Sequence, residues 1–183
     1  MLNDFISNAK TIGLARTNRY RVTITPPNNM ITHMNSGRLI TLFCESVNLP
    51  GHSLVTVEQK IIGETREFYY KKIYNSNRMT FYIDNNFEVK SFFNTWVDRI
   101  ISTQGKTTSY YEEYIAPTIT IDVLPLHSEI ASYSTTLYEA YPNFVSDIKY
   151  AANSRDVAKV NVNFVYKYYT TSSMIDRSNS TAQ

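Results

Sequence analysis

Polar and apolar residues alternate with a period of two along most of this chain, the pattern of strands with one buried face. Tyr20, Val22 and Ile24 alternate with Arg19, Arg21 and Thr23, which predicts a half-buried strand stopped by Pro26-Pro27. Asn28–Gly37 reads as a loop and Arg38–Ser46 as a strand. That strand ends at "NLPG", Asn48–Gly51, because proline cannot donate to a ladder and glycine permits a turn. Two β-rich runs follow, Ser53–Gly63 and Thr65–Asn75, and then Arg78–Asp84, with Met79, Phe81 and Ile83 on one face. Farther on, Ile119, Ile121 and Val123 alternate with Thr118, Thr120 and Asp122. Tyr133–Pro142 reads as a strand stopped by its proline. Val157–Tyr169 is the longest β signal, with Val160, Val162, Phe164, Tyr166 and Tyr168 on one face.

Helical spacing shows in two places. Phe5, Ile6, Ala9, Ile12 and Leu14 predict a short N-terminal helix set apart from the core. Val89, Phe92, Phe93, Trp96, Val97 and Ile100 form the apolar stripe of a helix over Phe87–Ser102. Asn85 followed by Glu88 has the spacing of a capping box, with Asn in the Ser/Thr place. Gln104–Tyr114 reads as a polar loop. The fold class expected is mainly β: an antiparallel barrel or sandwich with one flanking amphipathic helix and a short N-terminal helix. Residues 1–170 are expected to form one β domain, followed by a polar tail over residues 171–183.

Composition narrows the function. The chain has 183 residues and a net charge of +2, too small for a dedicated nucleic-acid binder. One cysteine excludes an internal disulfide and any site built from several thiolates. No apolar run approaches the roughly 20 residues that span a bilayer, so no membrane partner is expected. The first ten residues lack a basic start and a long apolar core, and a soluble, intracellular location is the expectation. Fifteen Tyr and nine Phe against five Gly suit strands and also interfaces, where a ring is buried and its hydroxyl stays hydrated.

Candidate chemistry is sparse. Cys44, in "LFCESVNLPGHS", could be a nucleophile with His52 as its base across the turn, or an apolar strand residue. Alternation with Phe43 and Glu45 favours the strand residue. His33, His52 and His127 stand singly, outside zinc-ligand spacing. Glu112 and Glu113 are adjacent in a Tyr-rich loop, and a solvated pair explains them better than acid–base catalysis. No phosphate-loop, dinucleotide or nucleophile-elbow motif occurs. No catalytic, cofactor-binding or metal-binding residue is therefore assigned, no cofactor is expected, and the chain reads as a non-enzyme. "YYKKIYN", Tyr69–Asn75, and "RTNRYR", Arg16–Arg21, interleave rings with cations, as in a single-strand nucleic-acid-binding β module. A strand that docks a neighbouring subunit explains the same mixture.

The order of the pieces "LARTNRYRVTI", "LFCESVNLPG", "TREFYYKKIY", "SFFNTWVDRI", "YEAYPNFVSDI" and "VAKVNVNFVYKYY" resembles the tail tube proteins of contractile-tailed bacteriophages. The resemblance runs from about Phe5 to Tyr169 and rests on the ordered set. It implies a small β-barrel or sandwich with a flanking helix, whose copies close hexameric rings by joining sheet edges. Stacked rings would enclose the DNA ejection channel. Tail sheath, baseplate and tail terminator proteins would be its partners, with DNA passing through the lumen without specific binding. The location implied is the virion tail, after assembly in the host cytoplasm. At the position of Cys44 the family carries a cysteine without chemistry. A baseplate tube initiator, a tail terminator and the tube protein of another contractile injection system remain alternatives within the same fold. The alternating strands Leu54–Ile62 and Thr65–Ile73 are the candidate channel wall. Thr56, Glu58, Lys60, Thr65, Glu67 and Lys71 would make that wall polar and nearly neutral.

Overall fold

The computed structural model describes residues 2–27, 30, 40–59, 65–101, 108–126, 128–153 and 155–173. In chain order these form α1 (Leu2–Ile12), β1 (Tyr20–Ile24), β2 (Cys44–Val47), β3 (His52–Gln59), β4 (Arg66–Tyr74) and β5 (Asn77–Tyr82). The helix α2 (Glu88–Ile100), a single helical turn α3 (Tyr111–Tyr114), β6 (Ala116–Val123), β7 (Tyr133–Val145), β8 (Lys159–Val165) and β9 (Tyr168–Ser173) follow.

The long strand β7 belongs to two antiparallel sheets. Its first part pairs with β6 on one side, from Val123↔Tyr133 to Ala116↔Ala140, and with β9 on the other, from Tyr133↔Ser173 to Tyr138↔Tyr168. Its last part, from Tyr141, pairs with β8. One sheet therefore runs β1-β6-β7-β9 and the other β7-β8-β5-β2. Between them β7 turns a corner, with Glu139 at φ 53° and a register shift between Pro142 and Phe144. Strands that change sheets through such bends are the corners of sandwich folds. Pro142 consequently does not stop the strand as its lack of an N–H suggests; it sits at the irregular step, where the ladder is already broken.

The same corner splits the run Val157–Tyr169 into β8 and β9. Val160, Val162, Phe164 and Tyr166 are buried as expected, but beyond the break Tyr168 turns outward and Tyr169 packs against the core. β9 continues to Ser173, into the segment expected as a polar tail. Residues 40–43 are helical and the strand starts only at Cys44, which corrects the expected strand over Arg38–Ser46. A short apolar run carries no period that separates helix from strand.

The sheets are sandwiched without closing into a barrel, since β1 and β2 remain the free ends of the strand order. The core between them holds Val22, Ile119, Ile121 and Leu137 from one sheet and Met79, Phe81, Val162 and Phe164 from the other. α2 presents Val89, Phe92, Phe93 and Trp96 to this core; the ring of Phe93 lies 5.1 Å from that of Phe81 and 6.1 Å from that of Phe164. Val97, counted in the stripe, faces outward. The helix start also differs from the capping box expected at Asn85. Phe87 takes a left-handed conformation and no side chain of the N-cap residue caps the helix. The Asp84 carboxylate instead accepts the backbone N–H groups of Asn86, Glu88 and Val89, each at 3.1 Å. α1 leaves Leu2 and Ile6 exposed.

Candidate assembly surfaces

β3 and β4 form a separate two-stranded sheet whose backbone pairs with no other described strand. Directly opposed residues of an antiparallel pair share a face. Thr56 opposes Tyr69, Glu58 opposes Glu67 and Leu54 opposes Lys72, so these lie on one face, where the Thr56 hydroxyl also donates to Glu67 at 3.1 Å. Val57 opposes Phe68, Ser53 opposes Ile73 and Val55 opposes Lys71 on the other face. The register shifts between Val55 and Thr56, opposite Tyr70. This bulge corrects the simple alternation of Thr65, Glu67 and Lys71: Lys72, not Lys71, joins the polar face. Lys60 lies outside the described residues.

One face of this arm thus carries Val55, Val57, Phe68 and Ile73 beside Ser53, Lys71 and Arg66, the other is mixed and polar, and little of either is covered among the described residues. Phe68, Tyr69 and Tyr70 remain 51%, 64% and 66% exposed. An isolated two-stranded hairpin is marginal in water, so such an arm calls for a surface to lie on. Its base is anchored. His52 Nδ1 is 2.7 Å from the Tyr169 hydroxyl, the rings of Tyr74 and Tyr169 meet edge to face at 5.6 Å, and the Lys72 ammonium lies 5.0 Å over Tyr74.

The candidate nucleophile is inert in this setting. The Cys44 thiol contacts the Ser46 carbonyl at 3.7 Å, while His52 turns to Tyr169. Burial pushes the thiol up to about 12, against the lowering effect of the Ser46 backbone contact and with some help from the Glu45 charge. It is a protonated, half-buried residue packed against the core. Glu45 itself is held low by its bond to Lys159, and the Tyr82 hydroxyl donates to it at 3.1 Å.

The remaining singled-out residues stay apart. Glu112 and Glu113 sit exposed on α3, with no ion-pair partner among the described residues. His33 and His127 lie outside the described residues. Among the described residues no group of three or more His, Cys, Asp or Glu could hold a metal ion, and no helix is long and apolar enough to cross a membrane. Within "RTNRYR", Arg21 is occupied by Asp122 at 3.0 Å, and Ser134 holds the other carboxylate oxygen at 2.7 Å. Arg21 is therefore not free to meet a phosphate.

The sequence profile of the phage tail tube protein family matches residues 15–172. The chain belongs to that family. Membership makes it a structural, non-enzymatic tail component rather than a catalyst. No curated protein matches it by sequence. Solved structures share the fold at low identity. A chain of the anti-feeding prophage baseplate, determined with six-fold symmetry imposed, is 15% identical with a TM-score of 0.65, covering 87% of this chain and 96% of that one. A chain of the sheath–tube complex of the extracellular contractile injection system PVC is 15% identical with a TM-score of 0.61, covering 92% and 97%. A chain of the sheath/tube terminator of the same system is 14% identical with a TM-score of 0.62, covering 87% and 97%.

Sequence reasoning missed three parts of these surfaces: the bulge at Tyr70, the Asp84 cap and the bond from the Tyr20 hydroxyl in β1 to the Cys44 carbonyl in β2. Only Asp84 carried a local signal, since the free N–H groups of a helix start favour a carboxylate just before it.

Proposed function

We propose that this protein is the repeating subunit of a phage tail tube, in which six copies close a ring and rings stack around the DNA ejection channel. The observation that carries the reading is the β3–β4 arm, which offers apolar side chains and backbone edges that pair with no other described strand. Joining such edges to a neighbouring copy removes them from water and from unwanted pairing. A contact of this kind is heterologous: it closes into a ring when the rotation fits, and further stacking gives a filament. In this arrangement the apolar face, with Val57, Phe68 and Ile73, lies against the next copy. The polar face, with Thr56, Glu58, Glu67 and Lys72, faces the channel. Mixed charge keeps that wall wet without adding the counterion-release affinity that a lysine-rich wall would give to DNA.

Sheath, baseplate and terminator proteins are the partners that this reading supplies, with assembly in the host cytoplasm and a final place in the virion tail. A tube-initiating or tube-terminating ring is a second reading; the likeness to baseplate and terminator chains supports it through the shared fold. Negative-stain microscopy of the purified protein tests both. Long hollow tubes support the repeating subunit, and single rings that never extend support the terminal ring. A compact monomer at every concentration defeats both. Salt-sensitive binding to oligonucleotides would revive the single-strand nucleic-acid-binding module.

A further inference from the structure

At the end of β6 marked by Val123, the segment before β1 passes the tip of β2 and leaves a cavity of about 510 Å³. Arg16, Arg19, Asn48, Leu49 and Val123 are among its lining residues. The cations here are unmatched. Three other basic residues of the sandwich do have carboxylate partners, in Arg21–Asp122, Lys159–Glu45 and Lys167–Glu139, and Lys90 donates to the Ser146 carbonyl. Among the described residues neither Arg16 nor Arg19 meets a carboxylate, and the Arg19 Nε is buried without any hydrogen-bond partner. A desolvated guanidinium N–H left unpaired is costly, and a carboxylate is the acceptor that fits its fork best.

The matching group lies at the opposite end of the same strand. Just before Ala116, α3 exposes Glu112 and Glu113, with Tyr110 beside them at 82% exposure. Neither glutamate has an ion-pair partner among the described residues. The turn is nonetheless held rigidly. The Trp96 indole N–H donates to the Tyr114 carbonyl at 2.7 Å, the ring of Tyr114 meets that of Tyr141 edge to face at 5.4 Å, and the Tyr111 hydroxyl bonds to Glu139. A preorganised turn that exposes tyrosine beside charge has the composition of an interface hot spot.

β6 runs from Ala116 to Val123 between the two patches. At about 3.3 Å per residue it holds them roughly 25 Å apart, so they cannot meet within one copy. We propose that the acidic turn Tyr110–Glu113 of one copy seats in the Arg16–Arg19 cavity of the next copy along the tube, as the ring-to-ring contact. Two different patches at opposite ends of a subunit define a head-to-tail contact that repeats by translation. The inference rests on the tube reading and specifies which surfaces carry its growth.

Charge reversal tests it. Arg16→Glu with Arg19→Glu makes the cavity acidic, and Glu112→Lys with Glu113→Lys makes the turn basic. Each folded variant alone, checked by circular dichroism, should lose stacking and remain as separate rings in light scattering and microscopy. An equimolar mixture should regain stacked assemblies, because each reversed patch then meets an opposite charge. Stacking by either variant alone to the wild-type extent, or a mixture that stays unstacked, overturns the proposal and leaves the tube reading intact. Wild-type protein that never assembles overturns both. Should Arg19, whose Nε is buried, prove intolerant, Arg16→Cys with Glu112→Cys changes only exposed positions. Oxidised assemblies of that variant should give a ladder of covalently linked chains on a non-reducing gel, and a lone monomer band overturns the proposal.

Discussion

Tyr20 in β1 donates its hydroxyl to the backbone carbonyl of Cys44 in β2 at 3.1 Å, and the same hydroxyl reaches the carbonyl of Glu45. These strands are the two ends of the strand order, so one side chain bridges a seam that no backbone ladder closes. Tyr20→Phe should cost about 1 kcal/mol, the net worth of one such bond, read from the denaturant midpoint. Burial, aided by Cys44 and Glu45, raises this hydroxyl to about 12. A raised pKa stabilises the fold below the unfolded value, about 10 for tyrosine. The difference between wild type and variant should therefore hold up to that pH and fade as pH rises through about 12.

Trp96 is fully buried and its indole N–H is bonded to the Tyr114 carbonyl. Trp96→Ala should cost roughly 3–5 kcal/mol by chemical denaturation, the range for a large buried aromatic. Trp96→Phe keeps a ring but leaves the Tyr114 carbonyl without its donor, and should cost less than the alanine variant while still exceeding a surface substitution.

Burial alone would raise the Asp84 carboxyl, but the N–H donors of Val89, Glu88 and Asn86 outweigh it and hold the group below the usual carboxylate range. Asp84→Ala should destabilise the protein at neutral pH by about 1 kcal/mol, as for loss of a helix cap. A depressed pKa contributes stability above the unfolded value, about 3.9. The gap between wild type and Asp84→Ala should thus narrow as pH falls through the folded pKa of Asp84, which thermal melts across an acid series will show.

Cys44 should react slowly with thiol reagents in the native protein at neutral pH, because burial keeps it protonated, and rapidly once the protein is unfolded. Cys44→Ser should keep ring and tube formation, at a stability cost of at most a few kcal/mol. Normal folding and normal tubes with complete loss of tail function would point to thiol chemistry instead.

Phe68→Asp places a charge on the apolar face of the exposed arm. Surface positions of this kind change folding stability by about 0.5 kcal/mol or less. The variant should keep the wild-type melting curve and fail to assemble, seen as a monomer in sedimentation. Assembly at wild-type concentration would show that this face is not the one covered.

Strands with one buried face were legible in the sequence because burial itself imposes the period. In β8, Val160, Val162 and Phe164 are buried and the residues between them are not. The aromatic stripe of α2 was legible for the same reason, as Phe92, Phe93 and Trp96 meet one surface. Features set by a neighbour in space were not. The corner in β7 depends on where β6 and β9 give way to β8, and nothing around Glu139 or Pro142 encodes that exchange locally. The bulge that brings Lys72 to the polar face depends on the pairing of β3 with β4. The buried Nε of Arg19 is visible only once the tips of β2 and β6 are in place.

The sharing of β7 between both sheets has a consequence for how the protein comes apart. Every backbone-ladder route from β1 to β2 passes through this strand, and only the Tyr20 side chain spans the seam directly. Losing it would free β6 and β9 from one sheet and β8 from the other in the same event. The sandwich is therefore built to melt as one cooperative unit, while the β3–β4 arm, outside that network, can loosen on its own. The arm can thus change its pose while the sandwich holds, and the sandwich yields all at once or not at all.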